Sequence, residues 1–359
     1  MQAGQVLPYL LEAGFISQRE AVFTGIKVDT SVRKNTSYQV KVGDRHLLVK
    51  QPKLNGDPGI EREVEFYFSI REKFERLRAI SLQPLGYGSS GSWLVLPFLN
   101  DAPDLRQFHA RARYAPVRLG REIGRTLAVL HDTGGGKRAA GTLPPAPAPW
   151  VFMLRAPDVS ILETESGGSL AVLKRIQANE HLRALIDHTS IHWVSHEFCH
   201  GDLRLDNLLY SRERALILVD WELCGLGWAA WDVACLLANY VEVWVNGATR
   251  PASLEDSKKI QTRKNIVSFK PLLVAFWSEY RHHRRLDGGS TLSPHLLAQL
   301  VALRMLQSAL EYSQGSPVPT RESIMLLTVA TRFATRPVES WVHILGIPMS
   351  PLTGTMSER

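Results

Sequence analysis

The spacing of apolar residues along the chain changes character near residue 99. Before that point, apolar and polar positions alternate in short runs rich in β-branched and aromatic residues, which is typical of strands. The turn residues Gly43-Asp44 separate two such runs and predict an antiparallel hairpin. The predicted elements are a helix within 1–20, a hairpin over 21–51, a helix over 60–76 and strands over 80–87 and 93–99. We therefore expect a small antiparallel sheet with a helix in residues 1–99.

Beyond residue 99 the apolar positions recur mostly at helical spacing. The clearest helices are predicted over 117–131, 169–188 and 296–312, and most of 250–345 shows the same pattern. Gly, Pro and Ala dominate residues 133–149, which predicts a flexible loop. We expect an α+β fold with a β-rich lobe over 1–99, a larger helical lobe over 100–347 and a disordered tail over 348–359.

Composition limits the classes of protein to consider. The chain has 359 residues, of which 45% are apolar and 21% charged, as in ordinary globular proteins. Its three cysteines show no CxxC spacing, so we expect neither a disulfide framework nor a zinc site. The N-terminus lacks the pattern of a signal peptide, and no apolar run is long enough to cross a membrane. We expect a cytoplasmic protein with no membrane segment.

The chain is basic, with 42 Lys+Arg against 35 Asp+Glu and a formal net charge of +7. A basic surface favours anionic partners such as nucleotide phosphates, acidic small molecules or acidic peptides. Nucleic acid is a weaker interpretation, because no basic run with interleaved aromatic residues is present. The alternative is a solvated basic surface without a partner.

The chemistry of the chain is concentrated between His200 and Asp220. The pattern H-G-D-x-x-x-x-N places Asp202 and Asn207 at the two ends of one loop, and the apolar run LILVD then delivers Asp220. Phosphoryl transfer needs an oriented nucleophile and metal ions that bridge the phosphates, and carboxylate and amide oxygens are ligands that Mg²⁺ prefers. Taken singly, Asp202 reads as a turn residue and Asp220 as a helix cap. The joint pattern favours phosphoryl transfer.

These segments, HGDLRLDNLL and LVDWELCGLG, resemble the aminoglycoside phosphotransferase and choline kinase superfamily. The resemblance implies a two-lobed protein-kinase-like fold, ATP as phosphate donor and Mg²⁺ as cofactor. It implies that Asp202 is the catalytic aspartate and that Asn207 and Asp220 bind the metal. His200 would support the loop without acid/base work, and Asp232 would brace it from the following helix.

The resemblance extends to the β-rich part of the chain. Lys50 follows the run HLLV, where the family keeps a lysine that grips the α- and β-phosphates. Glu63, 13 residues later on a predicted helix, would hold this lysine. Glu61 and Glu65 lie in the same run, and the role could belong to either.

The segment that would cover the phosphates matches the family least. Ser31, Asn35 and Ser37 could donate hydrogen bonds to phosphate, and Arg33 and Lys34 could add positive charge. The family tends to carry glycine there, whereas the nearest glycine in this chain is Gly25. The alternative is an ordinary polar hairpin turn.

Two further assignments come from the resemblance. The run LVLPFLN looks like the adenine-binding strand and linker, with Pro97, Phe98 and Leu99 offering backbone groups to the purine edge. Arg204, two residues after Asp202, lies where protein kinases often place a lysine near the transferred phosphate. It either neutralises charge there or faces solvent.

The family phosphorylates very different hydroxyls, and the fold does not choose between them. Sites for cations such as aminoglycosides and choline are typically acidic or aromatic, whereas the segments that could form the acceptor site here are rich in arginine. These arginines are Arg111, Arg113, Arg155, Arg281, Arg284 and Arg285. A neutral or anionic acceptor therefore fits better than an aminoglycoside: a sugar, an amino-alcohol acid, or a serine or threonine of an acidic peptide.

Several alternatives remain at the level of sequence. Kinase-like enzymes of this branch also phosphorylate Ser/Thr of precursor peptides in the biosynthesis of modified peptides of the lanthipeptide or thioamitide kind. A catalytically inactive scaffold that binds nucleotide, with or without a partner protein, is a second alternative. A nucleotide hydrolase without an acceptor is a third. Retention of Lys50, Asp202, Asn207 and Asp220 argues against the inactive scaffold.

Overall fold

A computed structural model describes residues 6–32, 36–51, 58–88, 93–112, 115–133, 143–159, 165–211, 215–249, 266–284 and 292–349. Within these ranges no helix combines the length and apolar character needed to cross a membrane. The chain divides into two units, one formed by residues 1–105 with 207–224 and the other by 106–206 with 225–359.

The elements are numbered in chain order. The strands are β1 (Ile26–Val32), β2 (Thr36–Val42), β3 (Arg45–Gln51), β4 (Gly86–Tyr87), β5 (Leu94–Pro97), β6 (Glu197–Cys199), β7 (Leu208–Ser211), β8 (Ala215–Leu218) and β9 (Gly225–Gly227). The helices up to β6 are α1 (Val6–Glu12), α2 (Gln18–Phe23), α3 (Pro58–Glu65), α4 (Arg71–Lys73), α5 (Glu75–Ala79), α6 (Leu105–Arg111), α7 (Val117–Asp132), α8 (Gly167–Ala178) and α9 (Glu180–Ile191). The later helices are α10 (Ala229–Thr249), α11 (Lys270–His283), α12 (Pro294–Glu311), α13 (Arg321–Thr335) and α14 (Pro337–Ser340). Short 3₁₀ segments lie at Trp150–Arg155, Leu205–Asn207 and Ile266–Phe269, and π-helical segments at Phe66–Ile70 and Trp341–Leu345.

The first unit is built on an antiparallel sheet with strand order β1-β2-β3-β5-β4. The predicted hairpin is confirmed: β2 and β3 pair so that Val42 faces Arg45 across the turn. Gly43 adopts a φ of 57° there, a left-handed conformation that glycine tolerates without a steric penalty. Alternate residues of β2, such as Tyr38 and Val40, are buried, as expected for a strand with one face on a core.

The helix predicted over 60–76 is interrupted twice. α3 passes into the π-helical turn Phe66–Ile70 and then into α4, and Phe74 has extended backbone (φ −121°, ψ 100°) before α5 begins. A π-helical turn inserts an extra residue, and such turns are frequent at functional sites. The strand predicted over 80–87 is shorter than expected: β4 contains only the two residues Gly86 and Tyr87. Instead, the Ile80 carbonyl accepts a hydrogen bond of 2.7 Å from the N–H of Leu218 in β8.

The second unit is mostly helical, with the buried helix α10 packed against α12. The prediction of one helix over 169–188 is wrong, because α8 ends and α9 begins at Asn179. This residue has extended backbone (φ −94°, ψ 109°), and its side chain accepts the Leu182 N–H at 3.2 Å as an N-cap. The strands β6 and β9 pair antiparallel from Glu197–Gly227 to Cys199–Gly225.

Two glycines one turn apart allow α7 and α11 to approach closely. A Cβ added at Gly120 would lie 2.2 Å from the Leu272 carbonyl oxygen, and one at Gly124 would lie 2.7 Å from the Phe276 carbonyl oxygen. Alanine gains about 1 kcal/mol of helix propensity over glycine, but a backbone contact this short must push the helices apart.

We therefore expect Gly120→Ala to lower the free energy of unfolding by about 1–3 kcal/mol, the usual cost of overpacking. Urea denaturation followed by circular dichroism measures the change. Arg118→Ala, at a position of α7 whose side chain is 82% exposed, is the matched control. A Gly120→Ala protein more stable than the control would contradict this account of the α7–α11 contact.

Candidate active site

In the first unit, Lys50 joins two carboxylates. Its Nζ lies 2.9 and 2.8 Å from the two carboxylate oxygens of Glu63 on α3, and 2.6 Å from Oδ1 of Asp220, which follows β8. Lys50 is 7% exposed and Glu63 is fully buried. The neighbours Glu61 and Glu65 are exposed, so the structure brings Glu63, of the three candidate glutamates, to the lysine.

Charge compensation dominates this cluster. Burial alone would lower the pKa of Lys50, but the carboxylates of Asp220 and Glu63 outweigh it and raise that pKa, so the ammonium stays charged. Burial raises the pKa of Glu63 to about 7, and the ammonium of Lys50 opposes this rise. One ammonium is thus shared by two carboxylates, of which that of Glu63 is buried and that of Asp220 is 36% exposed.

The backbone at Asp220 is unusual. Its φ of 69° makes it the one non-glycine residue with a left-handed conformation in the described ranges. Such conformations cost energy and persist where the surroundings enforce them. The next residue, Trp221, is fully buried, stacks on Phe66 with ring centroids 3.8 Å apart, and donates its Nε1–H to the Leu218 carbonyl at 3.1 Å. This stack fixes the turn that carries Asp220.

Asn207 lies at the end of the β7–β8 hairpin, across from Val219, the residue before Asp220. The Asn207 carbonyl accepts the Val219 N–H at 3.1 Å, which extends the hairpin by one pair. The Asn207 side chain is buried, whereas that of Asp220 is 36% exposed. An amide oxygen and a carboxylate are hard ligands, so these two residue types fit the donor set of Mg²⁺.

Asp202 belongs to the second unit, in the loop between β6 and the Leu205–Asn207 turn. Its side chain is 23% exposed, and its N–H points to Nδ1 of His200 at 3.4 Å. Burial raises the pKa of Asp202, while the guanidinium groups of Arg204 and Arg304 oppose that rise. A half-buried carboxylate with a raised pKa is suited to accept a proton.

The loop is held from α10, as expected. Asp232 accepts the N–H groups of His200 at 2.7 Å and Gly201 at 2.9 Å, and it also faces His131 at 3.2 Å. Gly201 has a φ of 85°, which a residue with a Cβ adopts only with strain. The prediction that Asp232 braces the loop is confirmed, and the backbone just before Asp202 is fixed by it.

Replacement of Asp232 tests this brace. We expect Asp232→Ala to lower the free energy of unfolding by about 2–5 kcal/mol, since each buried N–H left without an acceptor costs about 1–3 kcal/mol. Urea denaturation measures this change in the free energy of unfolding. Asp187→Ala, which breaks a 2.8 Å ion pair with Arg155 at the surface, is the control and should change stability by about 1 kcal/mol or less. Equal midpoints for the two variants would refute the brace.

The predicted phosphate-covering residues are described in part. Ser31 of β1 pairs with Ser37 of β2, which in turn pairs with Lys50 of β3, so the three positions lie in register across the sheet. Asn35, with Arg33 and Lys34, lies outside the described residues.

The remaining predicted positions are the hinge and Arg204. Pro97 ends β5, and the Phe98 N–H already donates to the His46 carbonyl at 2.9 Å, so Phe98 could offer a purine its carbonyl oxygen but not its amide. Arg204 does not simply face solvent: its side chain is 30% exposed and lies 3.6 Å from Asp206 and 4.0 Å from Glu311.

Sequence reasoning missed Arg304, which lies 3.9 Å from Asp202. The signal was a single arginine inside the otherwise apolar stretch of α12. The arginines proposed to line an acceptor site are placed differently from one another. Arg284 pairs with Asp132 and Glu197, Arg155 pairs with Asp187, Arg281 lies 5.8 Å from the Trp277 ring, Arg111 is exposed, and Arg113 and Arg285 lie outside the described residues.

Comparison with solved structures shows where this fold occurs. A choline/ethanolamine kinase family protein from Mesorhizobium loti matches with a TM-score of 0.55 at 16% identity, covering 95% of this chain and 97% of that one. An ethanolamine kinase from Plasmodium vivax matches with a TM-score of 0.58 at 12% identity, covering 92% of this chain and 88% of that one. The choline kinase LicA from Streptococcus pneumoniae matches with a TM-score of 0.53 at 14% identity, covering 90% of this chain and 99% of that one. At these identities the likeness establishes the fold, which is the expected two-lobed protein-kinase-like fold.

The family is given by a match to a family model and not by a match to an individual protein. Comparison with curated proteins gave no match. The model of the phosphotransferase enzyme family matches residues 25–261, about two thirds of the chain. That range contains Lys50, Glu63, Asp202, Asn207 and Asp220, and it confirms the resemblance drawn from the two motifs. The chain therefore belongs to the phosphotransferase enzyme family.

Proposed function

We propose that this phosphotransferase moves the terminal phosphoryl group of Mg-ATP to the hydroxyl of a neutral or anionic acceptor. One observation carries the proposal: Lys50 is held charged by Glu63 and Asp220, 2.6–2.9 Å away, in the unit that also contains Asn207. A lysine fixed in this way and paired with two hard oxygen ligands suits a metal-bound triphosphate.

On the donor side, Lys50 would bind the α- and β-phosphate oxygens and Glu63 would hold its ammonium in place. Asn207 and Asp220 would hold Mg²⁺, which when bound neutralises charge on the phosphate oxygens. Ser31 on β1 and Ser37 on β2 would donate hydrogen bonds to phosphate, and Asn35 would do the same. Backbone groups of Pro97 to Leu99 would meet the purine.

On the acceptor side, Asp202 would orient the acceptor hydroxyl and take its proton. The new O–P bond then forms on the γ-phosphorus as the bond to the β,γ-bridging oxygen breaks and ADP leaves. Asp232 keeps the loop in place for this step through its bonds to His200 and Gly201. Arg204 would face the negative charge that develops on the transferred group.

The charges near Asp202 support an acceptor that is not a polycation. Asp206 pairs with Arg106 and lies 3.6 Å from Arg204, and Glu311 lies 4.0 Å from Arg204 and 3.7 Å from Arg304. Each of these carboxylates already faces a guanidinium group. A cationic acceptor would have to displace these pairs, whereas a neutral or anionic one would not.

An acceptor panel tests the proposal. Purified protein with Mg-ATP is incubated with neutral sugars, hydroxy acids, serine- and threonine-containing acidic peptides, choline, ethanolamine and an aminoglycoside, and products are identified by mass spectrometry. We expect ADP and a phosphorylated product from one of the first three classes. Peptide products alone would assign the protein to peptide modification.

Two results would overturn the proposal. Phosphorylation restricted to the cationic compounds would refute the proposed acceptor class. ATP binding without any phosphorylated product would instead indicate an inactive nucleotide-binding scaffold, and ADP formed without product would indicate a hydrolase. Lys50→Met, measured in parallel, controls for contaminating kinases.

A further inference from the structure

Arg304 is a buried cation in the helical unit, on a helix that the family match does not reach. It lies on α12, beyond residue 261, and its side chain is 1% exposed. Its neighbours in the chain, Leu303 and Met305, are fully buried as well. Burying a charge is costly unless it is paired and hydrogen-bonded. The contacts of the Arg304 guanidinium therefore indicate the role of this buried charge.

One arm of the guanidinium leads to the backbone of the catalytic loop. Nη1 donates to Oγ of Ser308 at 2.6 Å, and Ser308 donates to the carboxylate of Glu242 on α10. The other oxygen of Glu242 accepts Nδ2–H of Asn239 at 2.9 Å, and Oδ1 of Asn239 accepts the Leu205 N–H at 3.0 Å. A continuous set of hydrogen bonds thus runs from Arg304 to Leu205.

The other arm of the guanidinium faces the side chain of Asp202, three residues before Leu205 in the catalytic loop. Nη2 lies 3.9 Å from Oδ1 of Asp202 and 3.7 Å from the carboxylate of Glu311. At these distances the contacts are ion pairs and not hydrogen bonds. Within the described part of the chain, neither Nη2 nor Nε has a hydrogen-bond partner. The two arms together reach both ends of the four-residue segment from Asp202 to Leu205.

We propose that Arg304 is a positioning residue for phosphoryl transfer, which holds Asp202 in one orientation by fixing both ends of the segment 202–205. The inference rests on the proposed catalytic role of Asp202. Arg304 itself has no accessible guanidinium to offer to substrate, because its side chain is 1% exposed. The planar guanidinium is needed, since it sets Nη1 against Ser308 while Nη2 keeps its charge near Asp202, and a single ammonium does not cover both positions.

A merely structural role would predict something different. If Arg304 only compensates the buried carboxylate of Glu242, any variant that stays folded would keep full turnover. Positioning predicts a loss of turnover in a folded protein, because displacement of a reacting group by about 1 Å costs roughly 100-fold. ATP affinity would stay unchanged, since the donor residues lie in the other unit.

The experiment compares Arg304→Lys, Arg304→Gln and Asp202→Asn, with Arg332→Gln at an exposed position of α13 as control. Turnover is measured with the acceptor from the panel, ATP affinity by titration calorimetry and folding by thermal denaturation. Hydrogen exchange of the Leu205 amide is measured by mass spectrometry or NMR and needs no acceptor.

We expect Arg304→Lys to fold and to lose about 10-fold in turnover, and Arg304→Gln to lose about 100-fold. In both, the KM for ATP stays within about 2-fold of wild type and Leu205 exchanges faster, while Arg332→Gln matches wild type in every readout. The lysine variant keeps the charge, so it tests the inference even where the glutamine variant fails to fold.

Wild-type turnover and wild-type Leu205 exchange in folded Arg304→Lys would overturn the inference. The proposed function fails separately: if Asp202→Asn retains full turnover, Asp202 is not the catalytic residue, whatever Arg304 does. If Asp202→Asn is inactive and both folded Arg304 variants are fully active, the inference alone is wrong.

Discussion

Asp202→Asn is expected to lower turnover by about 10²–10⁴-fold, the usual contribution of a positioned general base. The change is nearly isosteric and removes the carboxylate that would take the proton of the acceptor hydroxyl. Asparagine brings no new charge, and Arg304 keeps Glu311, 3.7 Å away, as a counter-charge. We therefore expect the variant to fold and to bind ATP with unchanged affinity, because the donor residues Lys50, Asn207 and Asp220 are intact.

Steady-state kinetics and calorimetric titration with Mg-ATP separate these two effects. Asn179→Asp, at the N-cap of α9, serves as a control for a single Asp/Asn exchange. Turnover of Asp202→Asn within a factor of a few of wild type would remove Asp202 from the catalytic role.

Lys50→Met is expected to be the most disruptive change in the donor site. It leaves Glu63 fully buried without its counter-charge, and breaking a buried pair in this way costs about 3–5 kcal/mol. It also removes the cation proposed to bind the α- and β-phosphates, so ATP affinity and turnover should both fall.

The destabilisation of Lys50→Met should depend on pH. Burial already raises the pKa of Glu63 to about 7, and loss of the ammonium removes the group that opposes this rise. A raised folded pKa stabilises the protein at pH below the unfolded value, near 4.5, and this stabilisation is lost as pH rises through the folded pKa. We therefore expect the variant to lose more stability relative to wild type at pH 8 than at pH 6.

The double variant Lys50→Met/Glu63→Leu gives the matched control. Replacement of both members of a buried ion pair by apolar residues is often neutral for stability, so the double variant should regain much of the lost free energy of unfolding. It should not regain phosphotransfer. Recovery of activity together with stability would show that Lys50 has a structural role alone.

The candidate site residues could be picked out of the sequence because they follow local patterns. Lys50 lies on a strand with clear alternation, Asp202 and Asn207 lie in one short motif, and Asp220 ends the apolar run that follows it. The sequence does not choose between Glu61, Glu63 and Glu65 as the partner of Lys50, but the helix does. Positions two residues apart on α3 face different directions, so Glu63 is buried while Glu61 and Glu65 are exposed.

Features that depend on pairing across long sequence distances could not be predicted. Arg284 looked like an acceptor residue, yet it pairs with Asp132 and Glu197, far away in the sequence. The contact of Arg304 with Asp202 joins α12 to the loop and leaves no local pattern. The breaks at Asn179 and at the π-helical turn Phe66–Ile70 escaped because periodicity continues through them.

Transfer of the γ-phosphoryl group is the most direct test of the account. ATP labelled at the γ-phosphorus is incubated with Mg²⁺, the acceptor from the panel and either wild-type protein or Asp202→Asn, and ADP and labelled acceptor are quantified together. We expect one labelled acceptor molecule for each ADP in the wild type, and loss of both products in the variant. Labelled acceptor formed equally by the two proteins, or ADP formed without any labelled acceptor, would contradict it.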